Sequence, residues 1–431
     1  MPLMNELITH PNHFSGQDIV IPGDKSISHR SLILGAMAEG ITEVVDILEG
    51  EDVQSTARCL KQLGVKIWSE GRSTFIKGAG TKGFQNPKDA LDCGNSGTTM
   101  RVLMGVLAGY PNLNFTLTGD QSLCKRPMRR VWAPLKKMGA AMELTQDNFC
   151  PLKIKGSDLH GIDYELEIAS AQIKTAIMLA ALQAKGQTRI FGEVGSRDHT
   201  ERLLESFHAK ISVKPQEILV PGEQKLKASR VVVPGDPSTA AFWMAAAALI
   251  KKSSLRLSNI SLNPTRTGFI EVLKRIGAVV ETSVTQSSPE PIGAVSVRAG
   301  ELRSFKIEKS EIPSLIDEIP LLAVLATQCH GVTEIRGAEE LRVKESDRIE
   351  SVAENLQAMG ARVQTYPDGF RIQGPQKLRG ASIKTFHDHR IAMAFSVAGL
   401  VAEGETYIEN AECASVSYPN FYRDLKLLTI R

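Results

Sequence analysis

The chain has 431 residues, of which 42% are hydrophobic and 23% charged, and a formal net charge of +3. That length exceeds one ordinary core and predicts two domains, while the near-neutral balance gives no bulk reason to expect nucleic acid or a membrane surface as partner. The longest apolar run, Ala240 to Ile250, is too short to span a bilayer, and Met1 to Gly16 has no apolar stretch of the signal-peptide kind.

Read in chain order, one module recurs six times: a polar tip, a short helix rich in Ala, Leu and Met, then usually Gly. The copies are KSISHRSLILGAMAEG from Lys25, NSGTTMRVLMGVLAG from Asn95, SAQIKTAIMLAALQAKG from Ser170, DPSTAAFWMAAAALI from Asp236, DEIPLLAVLATQCHG from Asp317 and DHRIAMAFSVAGLVAEG from Asp388. Starts spaced by about 65 to 80 residues mark repeated supersecondary units. Each helix is followed by an amphipathic segment, beginning at Glu51, Arg126, Arg197, Asn263, Val343 and Tyr418. In the fifth, Ile349, Val352, Ala353 and Leu356 fall at i, i+3, i+4 and i+7, a single helical face. Gly64, Gly139, Gly277 and Gly360 read as stops just past a last turn, and β-branched runs such as V-K-I-W and A-V-V-E follow them.

The unit is therefore strand, helix, strand, helix, strand, strand, and six units divide as three plus three. I-V-I-P-G-D-K-S from Ile19 returns as V-V-V-P-G-D-P-S from Val231, which places crossovers near Ile21 and Pro234. The expected fold class is α/β (α+β), with two similar domains of three βαβαββ units each, 21–233 and 1–20 plus 234–431. The first 20 residues supply an extra strand to the second. Helices such as AAFWMAAAALI have little polar face and should lie inside, sheathed by the amphipathic ones.

The tips carry the candidate chemistry. Helix N-termini favour Asp, Glu, Ser and Thr, and a cation there costs some tenths of a kcal/mol. Here the tips carry Lys25, Arg30, Arg126, Arg129, Arg197, Lys344, Arg348, His389 and Arg390. Solvated basic helix ends would explain one or two; nine point to anionic ligands, with helix dipoles and cations forming phosphate or carboxylate sites. Among them stand Asp317 and Glu345. Each reads alone as a cap or a first-turn acid, but together, amid Lys and Arg, they are candidates for proton transfer. Ser26, Ser96, Thr98, Ser170 and Gln172 are suitable donors to phosphate oxygens, or simple caps. The fourth tip, D-P-S-T-A-A-F, keeps the pattern without cations and reads as structural.

Other templates fail. G-A-G-T-K-G at 78–83 matches G-x-G-x-x-G, but no helix follows, and no P-loop, H-E-x-x-H or G-x-S-x-G occurs. His387-Asp388-His389 has no accompanying Cys or His cluster, so no metal is expected and His389 reads as an anion contact. The six cysteines (59, 93, 124, 150, 329, 413) form no C-x-x-C pair and fit reduced thiols in a cytoplasm.

Taken in order, the tips resemble the enolpyruvyl transferase family. The carrying motifs are PGDKSISHR (22–30), GNSGTTMR (94–101), KRPM (125–128), SAQIK (170–174), RDHTE (197–201), IDEIP (316–320), LRVKESDR (341–348) and HDHRIAM (387–393), which span almost the whole chain. S-A-Q-x-K, R-D-H-T-E and N-P-T-R (263–266) look like its bacterial glyphosate-tolerant subgroup. The resemblance implies two three-unit domains closing over an interdomain cleft and transfer of the enolpyruvyl group of phosphoenolpyruvate to the 5-hydroxyl of shikimate 3-phosphate. That is the sixth step toward chorismate and the aromatic amino acids, with no cofactor. It implies Lys25, Ser26, Arg30, Ser170, Ala171, Gln172, Arg197, Asp317 and Lys344 around shikimate 3-phosphate, the N-terminal domain's substrate. Lys25, Gly97, Arg126, Gln172, Arg348 and Arg390 would grip phosphoenolpyruvate, on the acid/base side with the C-terminal domain. Asp317 would take the hydroxyl proton, and Glu345 would protonate the methylene carbon and later remove a methyl proton, with His389 close by; Lys25, reaching both substrates, completes the catalytic set. A cytoplasmic monomer with glyphosate as a candidate inhibitor follows. The alternatives are the sister enzyme acting on UDP-N-acetylglucosamine, which typically carries a loop Cys, and a non-enzymatic polyanion-binding protein. Departures from the family pattern are Val416 in place of a Lys and Glu340 in place of an Asn; Gly97 differs from the Ala frequent in the tolerant subgroup.

Overall fold

The computed structural model of the chain describes residues 5–11, 14–16, 19–80 and 83–429. They fall into two compact units, Gly23–Val233 and Met1–Pro22 with Pro234–Arg431. Thr81 and Lys82, inside the G-x-G-x-x-G match, lie outside the described residues.

The Gly23–Val233 unit carries helices α1 (Lys25–Met37), α2 (Glu51–Gln62), α3 (Gly97–Ala108), α4 (Arg129–Lys137), α5 (Ala171–Ala181) and α6 (His199–Ser206). Burial follows the sequence pattern. In α1 every residue from Ile27 to Met37 is buried, and in α5 every residue from Ile173 to Ala181. Two such helices approach closely only where a side chain is missing: a Cβ on Gly105 of α3 would lie 2.1 Å from the Ala176 carbonyl oxygen of α5. By contrast, α2 and α4 keep a solvent face, and Gly64 and Gly139 follow them with φ of +92° and +97°, the left-handed stop expected from sequence.

The Met1–Pro22 and Pro234–Arg431 unit carries α7 (Pro237–Leu249), α8 (Gly268–Ile276), the single turn α9 (Ile312–Leu315), α10 (Ile319–Ala326), α11 (Arg348–Ala358), α12 (His389–Gly399) and α13 (Phe421–Thr429). Here α7, α10 and α12 are the buried set.

One sheet rule repeats through both units. A parallel pair is extended by an antiparallel hairpin, as in Leu91–Asp92 beside Asn114–Thr118, then Phe149–Lys155, then Ala141–Thr145. Strands 163–166, 187–192, 217–221 and 212–214 repeat the order, as do 306–307, 331–335, 369–374 and 363–366. The first sheet of each unit borrows its parallel strand from far along the chain. Arg230–Val232 pairs with Ile41–Val45, and Ser15–Gly16 pairs with Ser254–Leu255. The sixth unit departs from the expected pattern. Its sheet has three strands, because the chain passes from Thr406–Ile408 into α13, and Glu6–Ile8 fills the antiparallel place instead. The leading segment thus provides two short strands to two different sheets of its unit, where sequence suggested one.

The last helix is fastened by aromatic packing. Phe421 of α13 stacks on Trp243 of α7 with centroids 4.7 Å apart and planes at 10°. The Trp243 indole N–H donates to the Tyr418 hydroxyl at 3.1 Å, and that hydroxyl donates to Asp424 at 2.7 Å, so the indole N–H and the phenol are both paired on burial. Phe421→Ala should cost about 3–5 kcal/mol, read as a fall in the urea midpoint at unchanged m-value.

Candidate active site

In the Gly23–Val233 unit, the tips of α1, α3 and α5 gather one polar cluster. The N-caps are ordinary: Asp24 accepts from the Ile27 N–H, Ser96 from Thr99 and Ser170 from Ile173. The cations stand beside these caps rather than replacing them. Lys25 opens α1 and pairs with Asp52 of α2 at 3.0 Å. Arg30, one turn further and buried, donates through Nε to Thr200 at 2.7 Å, through Nη2 to Thr175 at 2.9 Å and through Nη1 to the Ser26 carbonyl at 3.0 Å. Arg197, in the loop before α6, reaches the Ser26 hydroxyl at 3.3 Å.

Arg126 precedes α4 by one short loop and donates to the Asn95 side chain at 2.5 Å. Gly97 is the first residue of α3, and a Cβ there would lie 3.3 Å from Arg101 Nη1 and 3.5 Å from Arg126 Nη1. Gln172, second in α5, is held at both ends: Arg101 donates to its carbonyl at 2.6 Å, and its amide donates to Thr98 at 3.0 Å. Ala171 opens α5 beside Ser170. Arg101 also donates to the Pro127 carbonyl at 3.1 Å, so one buried guanidinium ties three motifs together.

The other unit centres on Arg348, the first residue of α11, whose side chain is 2% exposed. It meets Asp388 at 2.8 and 3.2 Å, Glu345 at 2.8 Å and Asp317 at 3.4 Å. Burial alone would lower its pKa, but Asp388, Glu345 and Asp317 together outweigh it and raise the pKa, so the guanidinium is charged at every working pH. Asp388 caps α12 through the Arg390 N–H and also accepts from Ser346 at 3.0 Å, which binds the K-E-S-D-R and H-D-H-R segments into one body. His389 follows Asp388 as the first residue of α12 and is buried. Lys344 ends a short 3-10 turn four residues before Arg348 and is half-buried.

Several expectations change. Arg30 lies in the second turn of α1, and Arg126, Arg197 and Lys344 lie in loops, so only five of the nine cations occupy a first turn. Asp317 does not open α10: it sits in a 3-10 turn, Ile316–Glu318, and the helix starts at Ile319. Glu345 is no first-turn acid either, because Asp347 caps α11 two residues later. Both carboxylates thereby escape backbone capping and turn to Arg348. The fourth tip is not free of cations: Arg266 donates to Asp236 and Ser238 at 2.8 Å each, and Arg390 to the Ser238 carbonyl at 3.2 Å. Partners separated by 30 and 152 residues leave no local trace in sequence. Asp52, Arg101 and Asp388 join these clusters without having been singled out as candidates, although Arg101 and Asp388 lie inside the quoted motifs; an Arg inside an apolar helix was a signal at Arg101.

Compared with known proteins, residues 8–425 match the family model for EPSP synthase (3-phosphoshikimate 1-carboxyvinyltransferase). The chain belongs to the EPSP synthase family. It is 45% identical to 3-phosphoshikimate 1-carboxyvinyltransferase of Bacillus thuringiensis (strain Al Hakam), over 99% of this chain and all of the relative. The counterpart from Carboxydothermus hydrogenoformans is 46% identical, covering 99% of each. The solved EPSP synthase of Acinetobacter baumannii superposes with a TM-score of 0.86 at 39% identity, covering 99% of this chain and 98% of that one. As an EPSP synthase family member the chain is a transferase of the shikimate pathway to aromatic amino acids. Among the described residues no helix is long and apolar enough to cross a membrane.

Beneath the first cluster, His29 of α1 bonds Thr56 of α2 at 2.7 Å, and Thr56 bonds Thr99 of α3 at 2.7 Å. Burial, then the charges of Lys25 and Arg30, hold the His29 pKa well below 6.5. His29 is thus neutral when folded but takes a proton below about pH 6.5 when unfolded, so stability falls as pH drops through that value. The slope should approach about 1.4 kcal/mol per pH unit. Urea unfolding between pH 7.5 and 5.5 should show this loss, and His29→Gln should flatten it.

Proposed function

We propose that the two clusters divide the enolpyruvyl transfer between them, with the assignments that the family resemblance implies. Arg30, Ser26, Arg197, Ser170, Ala171, Gln172 and Lys344 bind shikimate 3-phosphate, and Lys25 serves both substrates. Arg126, Gln172, Arg348 and Arg390 hold phosphoenolpyruvate, with Gly97 leaving room beside Arg126. The observation that supports the assignment best is the placing of Asp317 and Glu345 on one guanidinium, 3.4 and 2.8 Å from Arg348.

That pairing fits the chemistry. Arg348 favours the charged form of Asp317, as required of a base that takes the proton from the 5-hydroxyl. The same guanidinium disfavours a proton on Glu345 until phosphoenolpyruvate arrives. Arg348 has five N–H donors, and its four carboxylate contacts among the described residues leave one on Nη1 for the incoming anion. An anion there offsets the guanidinium charge and lets Glu345 carry the proton it delivers to C3. The 5-oxygen then bonds to C2, giving a tetrahedral ketal. Loss of phosphate, stabilised by Lys25 and Arg126 and taking up the proton held by Asp317, and return of a methyl proton to Glu345 complete the transfer. His389, adjoining Asp388, completes the proposed acid/base set. Both sets come from one chain, which supports action as a monomer, and the scattered cysteines favour the cytoplasm.

Phosphate release from phosphoenolpyruvate should require shikimate 3-phosphate; release with UDP-N-acetylglucosamine alone would overturn the reading. Glu345→Gln should bind both substrates with near-parental affinity and lose at least about a hundredfold in kcat. Full turnover in that variant would remove Glu345 from the reaction.

The likeness to the glyphosate-tolerant subgroup rests on S-A-Q-x-K, R-D-H-T-E and N-P-T-R, whereas Gly97 leaves the space beside Arg101 and Arg126 open. The subgroup motifs predict tolerance and Gly97 predicts inhibition, and a glyphosate titration of the parent decides between them. Gly97→Ala adds a methyl against both guanidiniums and should weaken glyphosate by about tenfold or more, a methyl-sized discrimination. The phosphoenolpyruvate KM should rise less; equal changes in both would show that the methyl does not discriminate.

A further inference from the structure

Lys174, in the fourth position of α5, is 1% exposed, and Lys is almost never so buried without a partner. Its ammonium has three donors, and all three are used: Glu201 of α6 accepts at 2.6 Å, the Val194 carbonyl at 3.0 Å and the Ser196 carbonyl at 3.2 Å. Glu201 is 5% exposed. The two carbonyls belong to the loop between the strand Gln187–Gly192 and α6, which turns tightly through a Ser196 N–H bond to the Val194 carbonyl at 2.8 Å. The next residue is Arg197.

The neighbours of the pair are also occupied. Thr175 and Thr200, each adjacent in sequence to a member of the pair, bond each other at 2.6 Å and both accept from Arg30. Arg197 in turn reaches the Ser26 hydroxyl. One ion pair therefore underlies three residues assigned above to shikimate 3-phosphate. A buried ion pair gives little stability over an apolar pair of similar volume. Stability alone does not account for the match between three donors and three acceptors, two of which lie on a loop.

We propose that Lys174 and Glu201 are positioning residues: together they clamp the 193–198 loop to α5 and so set Arg197 against Ser26 for the anionic group of shikimate 3-phosphate. This rests on the assignment of Arg197 to that substrate. Lys174→Met combined with Glu201→Leu removes both charges and keeps the volume, so the melting temperature stays near the parental value. The loop carbonyls lose their donor. The KM for shikimate 3-phosphate should then rise at least about tenfold, while the KM for phosphoenolpyruvate and kcat change less than about threefold. Lys174→Arg keeps the charge but replaces three diverging donors by a planar fork, and should raise the same KM at least about threefold. It decides the matter if the double variant fails to fold. A parental KM for shikimate 3-phosphate in a folded variant, or equal rises for both substrates, overturns the proposal. Arg197→Ala, run alongside, separates the two levels. If it leaves that KM unchanged, the assignment of Arg197 fails and the clamp proposal with it; if it raises the KM while both Lys174 variants do not, the clamp alone fails.

Discussion

Burying a helix on every side leaves only its ends for polar work, and this constraint shapes the whole protein. α1, α3, α5, α7, α10 and α12 have almost no solvent face, so their middles cannot host chemistry and their N-termini must. The ends satisfy their backbone N–H groups with Asp or Ser, except at α10, whose N-cap Glu318 makes no such bond. With the backbone cared for, the remaining positions at each tip are available for side chains that face one another. The repeated unit is thus a device for delivering polar groups to the end of an otherwise apolar rod.

Several of the charges so delivered are compensated in place. Lys25 has Asp52, Arg348 has three carboxylates, Arg266 has Asp236 and Lys174 has Glu201. Simple counting of cations overstated how positive the tips are. What distinguishes them is that donors are fixed before any anion arrives, so binding does not have to order long flexible side chains. Glu318 shows the other side of this environment. Burial raises its pKa, Arg390 opposes that and Asp317 adds to it, so its charge is set by neighbours rather than by solvent.

Much of the fold was legible because it is written locally. Gly277 and Gly360 stop their helices at φ of +104° and +82°, and the apolar runs fall inside helices that are buried as their composition required. The candidate site was legible as a set of tips, since each tip is a contiguous motif. Its wiring was not. Arg348 finds Asp388 across 40 residues, and Arg30 finds Thr200 across 170, and no periodicity encodes such partners. Boundaries shifted for a physical reason as well: Pro320 suits the first turn of a helix, so α10 begins around it and leaves Asp317 in the preceding turn.

The route of the chain has a consequence for its synthesis. Glu6–Ile8 waits for Thr406–Ile408, and Ser15–Gly16 waits for Ser254–Leu255. At roughly 5–20 residues per second, the first of these partners emerges tens of seconds after the strand it must meet. The Gly23–Val233 unit, whose sheets draw only on its own residues, is complete long before then. On the ribosome the inserted unit is therefore the first to be able to fold, and the other unit can close only after residues 406–408 have been made.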